Sequence, residues 1–184
     1  MNEKTRYVAL LRGINVGGHH KLPMGELRSV MTKLGFENVV TLLNSGNVIF
    51  DAHRGCDGEL EKIISVSLEK NFGFPVPVLL RTADDILDVI RDNPFGNIEI
   101  TRDLRLYVSF LKHIPSVNVN IPWISDDHSF RITELRGTAI FSILDLAVTQ
   151  TTKGMEVLEQ FFGKDITTRN LNTIKRIAGK IDDR

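Results

Sequence analysis

Apolar residues fill five consecutive positions, Tyr7 to Leu11, with no polar position between them. A strand buried on both faces reads this way. Arg12 ends the run, and a glycine-rich loop follows: Gly13-Ile14-Asn15-Val16-Gly17-Gly18-His19-His20-Lys21. The period then changes. Met24, Leu27, Val30, Met31 and Leu34 recur at three- and four-residue spacing, which predicts a helix. Pro23 suits its first turn and Gly35 its stop. Val39 to Leu43 and Val48 to Phe50 are short β-rich runs on either side of Asn44-Ser45-Gly46-Asn47, a hairpin signal. Asp57, with Glu59 in the first turn, opens a second helix whose apolar stripe is Leu60, Ile63, Ile64, Leu68 and Phe72. Val76 to Arg81 reads as a strand, and Pro75 and Pro77 put it at a sheet edge. The order β-α-β-β-α-β over residues 1–81 is that of the ferredoxin-like fold.

The pattern then repeats. Thr82, with Asp85 at the capping-box position, opens a connecting helix that Asn93-Pro94 stops. Residues 82–97 therefore serve as linker. Leu104, Leu106, Val108 and Phe110 alternate with Arg105, Tyr107 and Ser109, a strand with one wetter face. Pro115 to Trp123 alternates like a strand where the topology asks for a short helix. Phe130 and Ile132 lie on a further strand, which Arg136-Gly137 turns into Thr138 to Leu144. A helix carrying Met155, Val157, Leu158, Phe161 and Phe162 ends at Gly163, a short edge strand runs from Ile166 to Thr168, and Asn170 caps a final helix. The expectation is an α+β protein: a tandem duplication of two ferredoxin-like halves with antiparallel sheets, 1–81 and 98–184, the second bearing the terminal helix. It rests on element order, since no sequence identity between the halves is visible.

Composition narrows the classes. In 184 residues, Lys+Arg and Asp+Glu each number 23, so the net charge is zero. Tight non-specific nucleic-acid binding needs clustered positive charge, which this balance disfavours. Cys56 is the one cysteine, so no internal disulfide forms, and it reads as an unreactive thiol in a surface turn. No apolar run approaches 18 residues and no signal-type segment follows Met1, so a cytoplasmic protein is expected. The five histidines show no H-x-x-x-H spacing and no C-x-x-C accompanies them, which argues against zinc. There is no G-x-S-x-G elbow, and no cofactor motif is complete. Glu61, Lys62 and Glu69 read as a solvated helix face.

The candidate chemistry gathers at the glycine loop. It runs from a strand end to a helix start, a place that favours anions. Gly13 and Gly18 have P-loop spacing, but His19 stands where that motif needs lysine. In a ferredoxin-like half, strands one and three are central and antiparallel. That brings Arg12, Gly13 and Asn15 to the rim shared by Asn44, Ser45 and Asn47, with Gly17, Gly18, His19, His20 and Lys21 nearby. The planar fork of arginine suits phosphate or carboxylate. No carboxylate lies in either rim segment, so anion recognition fits better than acid–base catalysis. Arg169, Asn170, Asn172 and Thr173 form a second polar cluster, either a capped turn or a partner of the first. The plain alternative is that the glycines serve folding alone.

The stretches LLRGINVGG, LPM, LGF and SGNVIF, with Phe72 to Val78, Asn93-Pro94-Phe95 and Thr168 to Thr173, resemble a bacterial family known as domain of unknown function 1697. The resemblance spans nearly the whole chain. It implies two ferredoxin-like halves and transfers no activity. Two departures stand out. The family's Gly/Ser/Lys-rich stretch reads Asp145 to Lys153 here, with only Lys153 corresponding, and Leu171 takes the place of its usual tryptophan. The leading expectation is a binding module for an anionic, phosphate-bearing small ligand or nucleotide. An RRM-like nucleic-acid-binding domain is one alternative, though Gly46 to Phe50 lacks the exposed aromatic pair of that module. A structural or interaction protein is the other.

Overall fold

The computed structural model describes residues 4–55, 57–91, 94–96, 98–99, 101–116 and 119–182. The turn expected at Cys56 and the stop at Asn93 lie outside them, as do Val117 and Asn118. The architecture is α+β, with two antiparallel sheets and five helices among the described residues. Two compact units divide the chain, Met1–Leu87 with Ile177–Arg184 and Asp88–Arg176.

In the first unit, β1 (Lys4–Leu11), β2 (Glu37–Leu42), β3 (Asn47–His53) and β4 (Val78–Thr82) form a sheet in the order β2-β3-β1-β4. Helix α1 (Met24–Lys33) lies between β1 and β2 in sequence, and α2 (Asp57–Phe72) between β3 and β4. The apolar run of β1 is explained by its central place. Tyr7, Ala9 and Leu11 enter a core with Leu27, Met31, Phe50, Ile64 and Leu68. Val8 and Leu10, on the opposite face, are also 0% exposed. Alternating residues point to opposite faces, so both faces of this strand are covered.

Edge strand β4 is protected by a residue that the sequence pattern misplaces. Glu61 is not solvated. It is buried on α2, and its Oε1 accepts the Leu80 backbone N–H at 2.9 Å. A buried carboxylate is tolerated when hydrogen-bonded, and here it blocks an edge donor. Helix α3 (Ala83–Arg91) starts with the expected capping box: Thr82 N donates to Asp85 Oδ2, and Asp85 N to Thr82 Oγ1.

In the second unit, β5 (Leu104–Leu111), β6 (Trp123–Ile124), β7 (Phe130–Arg136), β8 (Ala139–Asp145) and β9 (Ile166–Asn170) follow the order β6-β7-β8-β5-β9. Helix α4 (Thr151–Phe162) joins β8 to β9, with Leu158 in a core formed with Phe130, Ile132, Ile140 and Leu144. Gly154 lets it approach the sheet: a Cβ there would stand 3.0 Å from Leu144 Cδ1 and 3.1 Å from Phe130. The short helix that topology asked for within 115–123 is absent among the described residues. Trp123–Ile124 pairs with β7 instead. Pro115 and Pro122 explain this, since each removes a helical donor and biases its predecessor to extended backbone. Helix α5 (Leu171–Asp182) follows β9 directly, and Asn170 Oδ1 caps it by accepting the Asn172 N–H at 2.9 Å.

Candidate functional site

Three loops of the first unit meet where β1 ends. Leu11 N donates to Gly46 O at 2.8 Å, tying β1 to the β2–β3 turn. Arg12 N donates to Pro77 O at 3.0 Å, tying it to the connection between α2 and β4. The closeness of the turn is obligatory. Gly46 has φ +74, and a Cβ on it would lie 2.5 Å from Ile14 Cδ1 and 2.8 Å from Leu11 Cβ.

Asparagine fastens these loops from within. Asn15 Nδ2 donates to Leu22 O and to Asn44 O, and Asn15 Oδ1 accepts the Leu22 N–H at 2.8 Å. Asn47 is 0% exposed, and its Nδ2 donates to Leu42 O and Ser45 Oγ. Both amides stand at the rim as expected from the sequence, but the fold itself occupies them. They fix the loops, which matters for a site built on loop geometry.

What the rim presents outward is different. Gly17 and Gly18, both at positive φ, make a tight turn closed by His19 N donating to Val16 O at 3.0 Å. Gly13, His19, His20, Lys21, Asn44 and Ser45 are exposed and Arg12 is half-buried. The His20 ring lies on Phe74, with centroids 4.6 Å apart and planes 17° from parallel, and its Nδ1 is 3.1 Å from Gly13 O. No local signal predicts this contact, because Phe74 is 54 positions away and the β4 connection must fold back to meet the loop. The segments 12–25, 43–46 and 73–77 contain no Asp or Glu.

The second polar cluster belongs to the second unit. Arg169 sits on β9 opposite Val108 of β5 and is 8% exposed. Burial pushes its guanidinium down to about 10, and Nη1 donates to Thr168 O. Asn170 serves as the α5 cap described above.

Two hollows of the first unit lie at the start of β1. One, of about 1060 Å³, runs past Lys4, Arg6, Arg28, Phe36, Glu37 and Asp51. Another, of about 690 Å³, includes Arg54, Asp57, Asp84 and Asp85. Their charges are mixed and in part mutually engaged. Lys4 Nζ donates to both Glu37 oxygens at 2.7 Å, which holds the Glu37 carboxyl below its ordinary value. Asn38 Nδ2 donates to Asp51 Oδ2, and Arg6 Nε stands 4.0 Å from Asp51 Oδ1. Among the described residues no group of three His, Cys, Asp or Glu side chains can hold a metal ion. No described helix is long and apolar enough to cross a membrane.

Comparison with known proteins supports this architecture. The chain is similar to the conserved bacterial protein SP0830 from Streptococcus pneumoniae, with a TM-score of 0.68 and 25% identity over 97% of this chain and 99% of that one. No curated protein matches it. Residues 4–140 match the family described as "Protein of unknown function (DUF1697)", and the chain belongs to that family.

Proposed function

We propose that this chain is a binding module for a phosphate-bearing small molecule, held at the rim where β1 runs into its glycine loop. One observation carries the reading. Three loops held together by backbone hydrogen bonds present Arg12, His19 and Lys21, and none of the three segments contains an Asp or Glu. An anion arriving there meets donors from segments that supply no acid of their own. Arg12 and Lys21 act as the charged donors, and the exposed backbone of Gly13, Gly17, Gly18 and Ser45 can approach the ligand closely. Asn15, Asn44 and Asn47 hold the loops in place. Arg169 and Asn170, in the other unit, are kept as secondary candidates.

The RRM-like alternative has less support. That module stacks bases on an open sheet face, whereas Val8, Ala9, Leu10 and Leu11 are all within 1% of full burial. Titration of phosphate, followed by the shift in melting temperature, tests the proposal. Wild type should be stabilised and Arg12→Ala should not. No shift in either protein leaves the glycines a purely structural task.

We also infer that the two units are diverged copies of one ferredoxin-like half. The order β7-β8-β5-β9 repeats β2-β3-β1-β4 strand for strand, and α4 occupies the position of α2. Residues 82–97 would be the joint between the copies.

A further inference from the structure

Resting on the anion reading above, we propose that the rim's ligand carries a planar aromatic ring beside its phosphate, and that His20 is the surface on which this ring stacks. The imidazole is held on two sides. Phe74 covers one face at 4.6 Å, nearly parallel, and Gly13 O engages Nδ1 in the plane at 3.1 Å. The backbone is fixed too, because Asn15 N donates to His20 O at 3.1 Å. Yet the residue is exposed. A ring covered on one face, pinned at its edge and still open to solvent offers its second face to another ring. Little freedom remains to be lost when that face is covered. The charged groups stand close in sequence, Lys21 next to His20 and Arg12 next to Gly13, with the His19 ring as a further hydrogen-bonding group. A flat ring on His20 would therefore carry its phosphate toward them.

His20 also holds φ +50, a conformation that glycine or asparagine adopts more readily. Stacking on aromatic side chains tolerates any base, so a nucleotide-like ligand fits whatever its base.

Calorimetric titration of the full chain with inorganic phosphate, ribose 5-phosphate and adenosine 5′-monophosphate tests this. The nucleotide should bind about tenfold more tightly than the sugar phosphate, the lower range of what one stacked base contributes. His20→Ala should erase that preference while leaving the sugar phosphate within about twofold of wild type. His20→Phe keeps a ring without the Gly13 bond, and should retain most of the preference. Equal binding of nucleotide and sugar phosphate overturns the inference and leaves the anion reading standing. So does an equal loss of both in His20→Ala, which marks His20 as a loop support. Failure of all three probes to bind overturns both readings.

Discussion

The two ends of β1 differ in charge, and the difference bears on where an anion would bind. At the Lys4 end the hollows are large, but their cations face carboxylates: Lys4 lies on Glu37, and Arg6 beside Asp51. At the Arg12 end three loops converge with cations, and their segments contain no Asp or Glu. Large pockets are the usual first guess for a ligand site. Here the charge arrangement argues against it for an anion. A phosphate in the Lys4 hollow competes with carboxylates already in place, whereas the three rim segments supply none of their own.

Both ends depend on the strand between them, so the largest effect should come from breaking β1 itself. Leu10 is 0% exposed in mid-strand. Leu10→Asp buries a charge without a designed partner and should cost several kcal/mol, enough to prevent folding. A soluble variant with an unchanged melting curve would place β1 at the surface and remove the basis of the comparison.

Next in size is a change confined to the rim. Gly46→Ala places a methyl 2.5 Å from Ile14 Cδ1 at a residue with φ +74. Crowding and left-handed backbone together should cost about 2–4 kcal/mol, measured as a lower denaturant midpoint. An unaltered midpoint would mean that the loops meet loosely, without the fixed geometry that anion recognition needs.

The smallest effect belongs to the acidic end. Lys4 depresses the Glu37 carboxyl, chiefly by hydrogen bonding, so the folded state favours its ionised form. That contribution is present above the ordinary glutamate value of 4.5 and is lost as the pH falls below it. Melting temperatures of wild type and Glu37→Gln should therefore differ slightly at neutral pH and converge in acid. Lys21→Ala, at the carboxylate-free end, should show no such convergence. The same acid dependence in both variants would erase the electrostatic distinction between the ends.

Much of the first unit was legible in the sequence because its signals are local. The unbroken run Tyr7 to Leu11, the 3.6-residue period of Leu27, Val30 and Met31, the Thr82–Asp85 capping box and the Asn-Ser-Gly-Asn turn each fix a short segment by its own chemistry. What was not legible depends on distant partners. Nothing local distinguishes Glu61 from its solvated neighbours, because its partner is the Leu80 N–H across the sheet edge. The end of β1 does lie against the Asn44–Asn47 turn, through Leu11 N and Gly46 O. The sequence could not show that Asn15 and Asn47 spend their amides internally, or that Phe74 returns to cover His20. In the second unit the segment after β5 was ambiguous because valine alternation and proline breaks gave opposing signals, and the prolines prevailed over the helix that topology suggested.

The most direct test of where the anion binds is a calorimetric titration of phosphate into paired variants, one from each end of β1. Arg12→Ala should lose about ten- to a hundredfold in affinity, the worth of a charge-assisted hydrogen bond of about 1.5–3 kcal/mol. Lys4→Ala and Arg28→Ala, both lining the larger hollow, should bind within about twofold of wild type. If affinity instead falls in the Lys4 or Arg28 variant and survives in Arg12→Ala, the anion sits in the hollow and the carboxylate-free rim is not its site.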